Sequence, residues 1–431
     1  YPDGRTTLDA FSMATDALSL TGALAIGADA LPTSFDISGA IANKSGAPTL
    51  LPIAGDKRFL QRAEITAQYD AFKGETWTAA ARVFEYAQPD VAIDSLAVKA
   101  SGSISRRRGT QQNALLRALN ASLDIMADGI ALDDAALMSA IGPKLTAQTK
   151  LSWRDGTPLV LEDVLISAAD AKATAAGTIS GLDSGFTFKG TLGMEAARLS
   201  RYAALSGLKL QGSLSGKASG SFTPLGGGFE AQLSGQAQNA RIGIPKVDAL
   251  LNGQSQVNLR ARRDESGLTL DALDVQTSGV SAQGSGVLTS ETATLDLAAQ
   301  LDDVARLNAG LNGPLTVTAQ MSKASQKAPW QTAATMRGPG GSTAQLSGTV
   351  AQSFDTANLQ VSGSAPLGLA NRLTTATLLQ GIADFDLRLN GPLALGSLAG
   401  TVSARTDTRA VLPAAGLSLT FDQLSATLGN A

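Results

Sequence analysis

A two-residue alternation of apolar and polar side chains runs through most of the 431 residues, and it limits the possible folds more than any other feature of the chain. Its longest stretch is LKLQGSLSGKASGSF. There Leu208, Leu210, Gly212, Leu214, Gly216, Ala218, Gly220 and Phe222 share one parity, while Lys209, Gln211, Ser213, Ser215, Lys217, Ser219 and Ser221 hold the other. Successive strand residues point to opposite faces, so a strand written this way has one greasy face and one wet face. The same parity recurs in Phe35, Ile37, Gly39 and Ile41; in Ala63, Ile65, Ala67 and Tyr69; in Phe186, Phe188, Gly190, Leu192 and Met194; and in Ala293, Leu295, Leu297, Ala299 and Leu301.

Turn signals punctuate these runs: RDGTP at 154–158, TPLGGGF at 223–229, DESG at 264–267 and GPGGS at 338–342. The joins are too short for parallel crossovers, so the expected fold class is mainly β, a long antiparallel meander with a few short helices. Roughly 30 strands at about 4.8 Å each would make a sheet on the order of 140 Å long. Open sheets rarely exceed about 10 strands without curling or splitting, so the meander is expected to curl lengthwise into a taco-like hydrophobic groove. Helical interludes are expected near 133, 195, 302 and 366. DDAALMSAIGP opens with Asp133 or Asp134 as a cap and stops at Gly142-Pro143; EAARLSRYAALSG, LDDVARLNAG and PLGLANRLTTATLLQG also end in glycine. The reading is of one elongated unit, with approximate sub-repeats 1–132, 133–194, 195–301, 302–365 and 366–431.

The inward parity raises a question of volume. In Val280, Ala282, Gly284, Gly286 and Leu288, three of five side chains are tiny, and the chain has 45 glycines with only 4% aromatics. Either the small residues leave room for a guest such as an acyl chain, or they permit tight curvature in a dry solenoid. A repeated signature accompanies the pattern. LDAFSM at 8–13, LEDVLI at 161–166, LDALDV at 270–275 and FDQLSA at 421–426 share a large apolar residue, an acid, a variable position and two apolar positions two apart. Gly22 and Gly284 each lie 14 residues after the leading leucine, and LNGPL occurs at 311–315 and 389–393.

Much chemistry is excluded. With no His and no Cys, the nucleophile triads and the histidine and thiolate metal sites cannot be built, and no enzymatic activity, cofactor or metal is expected. Ser206 and Lys209 match a serine–lysine spacing but sit at a helix stop, and Gly284-Ser-Gly286 lacks a third glycine. Asp133-Asp134 and Asp302-Asp303 read as helix caps. A net charge of −3 with scattered basic residues argues against nucleic acid. Arg106-Arg107-Arg108, the one dense basic run, reads as a solvated loop beside a turn, with an anionic headgroup as the sharper alternative. Trp77, Trp153 and Trp330 read as strand-edge residues. Asn43 and Asn120 begin glycosylation-type triplets too short to carry weight. The chain starts at Tyr1 and ends within a restarted pattern, so it is expected to be a fragment of a longer one.

At ADFDLRLNGPLALGSLAGTVSARTDTRAVLPAAGLSLTFDQLSATL, 383–428, the chain resembles the TamB family of the AsmA-like group, the inner-membrane subunits of the bacterial translocation and assembly module. LPIAGDKRFLQRAEITAQYDAFKGETW at 51–77, DDAALMSAIGPKLTAQTKLSWRDGTPLVLEDVLISA at 133–168 and RYAALSGLKLQGSLSGKASGSF at 201–222 extend the resemblance over nearly all of the chain. It implies a periplasmic β-groove, with the parent chain anchored in the inner membrane of a Gram-negative bacterium. It also implies phospholipid transfer between the two membranes and support of outer-membrane protein assembly and secretion. The implied partners are phospholipid acyl chains and the outer-membrane barrel TamA, the latter reached through parts outside this fragment. No residue with a chemical role carries over from the family. From parity alone, the candidate groove-lining residues are Leu208, Leu210, Leu214, Phe222, Phe229, Leu233, Val257, Leu259, Leu295 and Leu297. The alternatives are a structural or adhesive β-solenoid with a dry core, and a chaperone-like groove that pairs with strands of outer-membrane proteins.

Overall fold

The computed structural model describes the chain except for residues 1–4, 52–55, 109–114, 182–184, 309, 373–377, 395–396, 406–407, 413–416, 422–423 and 429–431. The described residues form 29 strands and three short α-helices, and they group into two units, Tyr1–Gly226 and Gly227–Ala431. In each unit the strands pair antiparallel, mostly with their neighbours in sequence, and the ladder does not close on itself. This is the expected meander. In the first unit the tiny hairpin of Thr49–Leu50 and Phe59–Leu60 interrupts the order, so that Pro32–Ala42 pairs with Arg62–Asp70.

The repeated signature turns out to be a device. Its first two apolar positions are three apart in sequence, with two residues between them, which would put them on opposite faces of a regular strand. In Leu159–Ala168, Leu161 lies opposite Leu151 and Asp163 opposite Lys150, so Glu162 is an extra residue with no partner on that side. In Gly267–Gln276, Leu270 pairs with Ala261 and Ala272 with Arg260, which leaves Asp271 over. Thr6–Ala14 shows the same shift between Leu8 and Phe11. Each of these three copies is therefore a β-bulge with the acid in it, and the bulge restores both apolar residues to one face. The fourth copy straddles two strands, Leu417–Phe421 and Leu424–Leu428, and its residues 422–423 lie outside the described set. The two LNGPL copies are not equivalent: the first leads into the strand Leu315–Lys323, whereas the second largely closes Ile382–Pro392.

Helices lie along one margin of the meander in each unit, because they join strands of the same direction to their successors. Ala135–Ile141 is capped by Asp134, whose carboxylate accepts from the N–H groups of Ala136 and Leu137, and it ends at Gly142. The expected helix at 195 begins later, since Glu195 and Ala196 complete a strand; a 3₁₀ turn, Leu199–Tyr202, leads into Ala203–Ser206, closed by Gly207 in the left-handed region. Near 302 only a 3₁₀ turn forms, Val304–Arg306, under an Asp303 cap, and near 366 another, Leu367–Arg372. The helix Pro245–Leu251 was not anticipated; Pro245 at its first turn and Asp248, which accepts from Ile242 N–H, were the available signals.

Full burial is scarce. Among the described residues of the second unit, Val350, Ala357 and Leu359 form a buried cluster with Trp330, Leu346 and Leu389 packed against it. The chain exposes 26281 Å². A compact monomer of 43.8 kDa would expose roughly 15,400 Å², and two separate compact halves about 18,600 Å². The excess means that sheet faces which a layered domain would bury against each other remain accessible.

Candidate functional site

Strand pairing lines the apolar parity into rows that cross the strands. In the second unit Leu233 lies opposite Leu259, Leu259 opposite Leu273, Leu273 opposite Gly284 and Gly284 opposite Leu297. The row continues through Ala319, Ala334, Leu346, Val361 and Leu387. Val257 belongs to the neighbouring row, opposite Gly235 and Val275, and Leu295 to the row on the other side, opposite Gly286 and Met321. Phe229 sits at the margin of the same face, opposite Arg263. Six of the ten candidates thus share one surface. Leu233 and Leu297 remain 37% and 39% exposed, so this surface is not packed against another layer.

The first unit has an equivalent face. One row there runs Met13, Leu20, Gly39, Ile65, Ala81 and Val98, and continues through Ile125, Ala147, Ile166, Ala173 and Met194. Ile65, Ile166 and Met194 are each more than two-fifths exposed. Leu214 faces Ala196 and Phe222 faces Phe188 on this surface. Leu208 and Leu210 do not: they precede the strand Gln211–Thr223, in the segment that follows Gly207, because the helix stop delays the extended run. The rows also add Leu273, Leu346, Ile65 and Met194, which the alternation itself could have supplied.

The tiny residues do not leave open wells. A Cβ added to Gly284 would meet the Leu297 side chain at 3.0 Å, and one on Gly286 would meet Leu295 at 3.2 Å. Phe11 lies across Gly22, Phe188 across both Gly177 and Gly190, and Phe385 across Gly363, each within 3.0 Å of the added atom. Large side chains therefore lean over glycines on their own or the next strand, as aromatic residues do when they shield a strand glycine. The face is a tiled aliphatic surface, and whatever contacts it meets the outer sides of the leucines.

At one margin of the first unit the apolar parity ends in charge. Ile104, buried, is followed on the same face by Arg106, whose Nε donates to Asp29 Oδ2 at 2.7 Å and whose terminal nitrogens donate to Pro32 O at 2.7 Å and Tyr69 Oη at 3.3 Å. Arg117, opposite Arg106, donates to Asp29 O at 2.8 Å, forks onto the Asp155 carboxylate and lies 5.6 Å from the Trp153 ring centroid. Asp29 belongs to the turn before Pro32–Ala42, three strand steps from Val91–Arg108, about 14 Å on a flat sheet. One arginine cannot span that, so this end of the first unit bends toward its apolar face. Burial alone would raise Asp29, but the Arg106 hydrogen bond, the Leu31 N–H and the Arg106 charge outweigh it and hold the carboxyl below its ordinary value. The Arg117 hydrogen bonds do the same for Asp155. The basic run is therefore a strand end rather than a loop, and Arg106 is committed to this clasp.

The remaining motifs have local roles. Ser206 Oγ donates to Ala203 O and accepts from Leu208 N–H, which closes the helix, and Gly284-Ser-Gly286 lies within the strand Val280–Leu288. Asp303 accepts from Ala305 and Gly313 N–H groups. Among the described residues no helix is long and apolar enough to cross a membrane. No family model, no curated protein and no solved structure matches this chain.

Proposed function

We propose that the chain is a non-enzymatic hydrophobic conduit, a curled β-groove in which the acyl chains of phospholipids lie against the apolar rows while their headgroups stay in water. The observation that carries this is the continuous aliphatic surface, row beside row, held two-fifths exposed at residues such as Leu233 and Leu297. Leaving so much apolar area in water costs about 25 cal/mol per Å², a cost that a bound acyl chain offsets. The bend at the Asp29–Arg106 clasp supports a groove with the apolar face inward. The resemblance of 383–428 to the TamB family supports the setting: the periplasm of a Gram-negative bacterium, traffic between inner and outer membrane, outer-membrane protein assembly, and TamA as a partner of the parent chain.

Mass spectrometry of the gently purified chain tests this directly. Phospholipid should co-purify. A lipid-free preparation would favour the dry solenoid, and crosslinks from strand edges to unfolded barrel proteins without lipid would favour the strand-binding groove.

A further inference from the structure

The opposite face of the second unit has a character of its own. From Val280–Leu288 to Thr356–Pro366 six consecutive strands pair in register, and their outward parity forms four rows of six positions. Gln283, Ala298, Thr318, Thr335, Gln345 and Ser362 make one row; Ser285, Asp296, Gln320, Ala333, Ser347 and Gln360 make the next. In all four rows only Asp296 and Arg337 are charged. Solvated strand faces ordinarily carry many Lys and Glu, which also protect against aggregation. Here hydroxyls and amides replace them.

This lattice is also indented. A shallow hollow of about 950 Å³ runs over it, bordered by Gln283, Gln320, Gln345 and Gln360, with Ala298 and Ala333 among its short side chains. A second hollow of about 470 Å³ adjoins it through Asp296, Gln320, Ala333 and Ser347. From the strand of Ala272 to that of Gln360 the larger hollow crosses six strand steps, about 29 Å. Its charged lining consists of Asp271, Asp274 and Asp296, with no Lys or Arg.

We propose that this hollow binds a linear, uncharged glycan. Anionic ligands would meet three carboxylates and no cation. Apolar ligands would strand the amides, each of which offers donors and an acceptor. A polyhydroxylated chain satisfies amides, hydroxyls and carboxylates together, and its elongated form matches a trough that crosses seven strands. Its polar lining residues hold the parity opposite the aliphatic rows, with Leu273, Leu297 and Leu346 of the central row also in the lining, and the proposal stands independently of the conduit reading.

Calorimetric titration of the whole chain with the hexamer of β-1,4-linked N-acetylglucosamine, and in parallel with cellohexaose, tests the site. Saturable binding of at least one is expected, little changed by about 0.5 M NaCl because no ion pair forms. Ala333→Lys with Ser347→Lys, both exposed positions, should weaken it at least tenfold while the melting temperature holds. Gln320→Leu with Gln345→Leu, which removes hydrogen bonds without adding charge, should do the same. Leu233→Asp with Leu295→Asp, neither of which lines the hollow, should leave it unchanged. Absence of saturable binding to both sugars overturns the proposal, as does full binding by the folded lysine variant. Displacement by oligolysine together with loss of binding in salt would reassign the hollow to a cationic peptide and overturn it too.

Discussion

Placing carboxylates at Leu233 and Leu297 is the sharpest perturbation of the aliphatic face. The two leucines end a row of five opposed positions on consecutive strands, so about 19 Å separates them, slightly more than one leaflet's share of the ~30 Å hydrocarbon thickness. An acyl chain lying along the row would reach both ends. At 37% and 39% exposure each leucine presents about 75 Å² for a guest to cover, worth roughly 1.9 kcal/mol apiece at 25 cal/mol per Å². Losing both amounts to about 3.7 kcal/mol, or several hundredfold in affinity, before the further cost of laying a hydrocarbon against an unpaired carboxylate. The folded chain should tolerate the change, since both positions are already more than a third exposed. The assay is phosphate per chain in lipid extracts of purified protein, with displacement of a fluorescent fatty acid for the affinity and Thr318→Asp on the opposite face as control. The double variant should be lipid-free and the control loaded. If Leu233→Asp with Leu297→Asp folds and carries as much lipid as the parent, the aliphatic rows are not where lipid lies.

Three further outcomes follow from the geometry. Deleting Asp271 should leave a folded chain of nearly unchanged melting temperature, because both neighbouring ladders become regular without it, whereas deleting Thr269 turns Leu268 and the residues before it to the wrong face and should abolish cooperative unfolding. Gly348→Ala should cost about 2 kcal/mol, seen as a melting point lower by roughly 4–8 °C, since φ is +144° and the new Cβ would sit 2.2 Å from Asn358 O. Asp29 and Asp155 titrate below the ordinary 3.8 in the folded chain, so their stabilisation is complete above that pH and fades as pH falls through the depressed values. Denaturant midpoints measured from pH 6 down to about pH 2 should therefore drop less in Asp29→Asn with Asp155→Asn than in the parent, and equal pH dependence would show the clasp to be energetically silent.

Period-two alternation is a local property, set by the direction successive side chains take, and it suffices to fix the class of this fold, the strand faces and the placement of eight of the ten candidate residues on the apolar face. It also held the bulge, since the Leu270 to Leu273 spacing breaks parity unless one residue is extra, but that spacing has to be read as a violation before it means anything. Leu208 and Leu210 fall outside the strand because parity continues through a segment that a preceding helix stop keeps out of the ladder.

Other features depend on which strands become neighbours. Nothing local to Gly284 says that Leu297 will lean over it, and nothing near Arg106 says that a turn 77 residues earlier will supply its carboxylate. The polar lattice is the same kind of fact: each strand contributes three or four ordinary polar residues, and only the register of six strands turns them into a surface. Sequence settled what each strand shows to either side; pairing settled what those sides add up to, because contacts between strands depend on register and bend, which no single strand encodes.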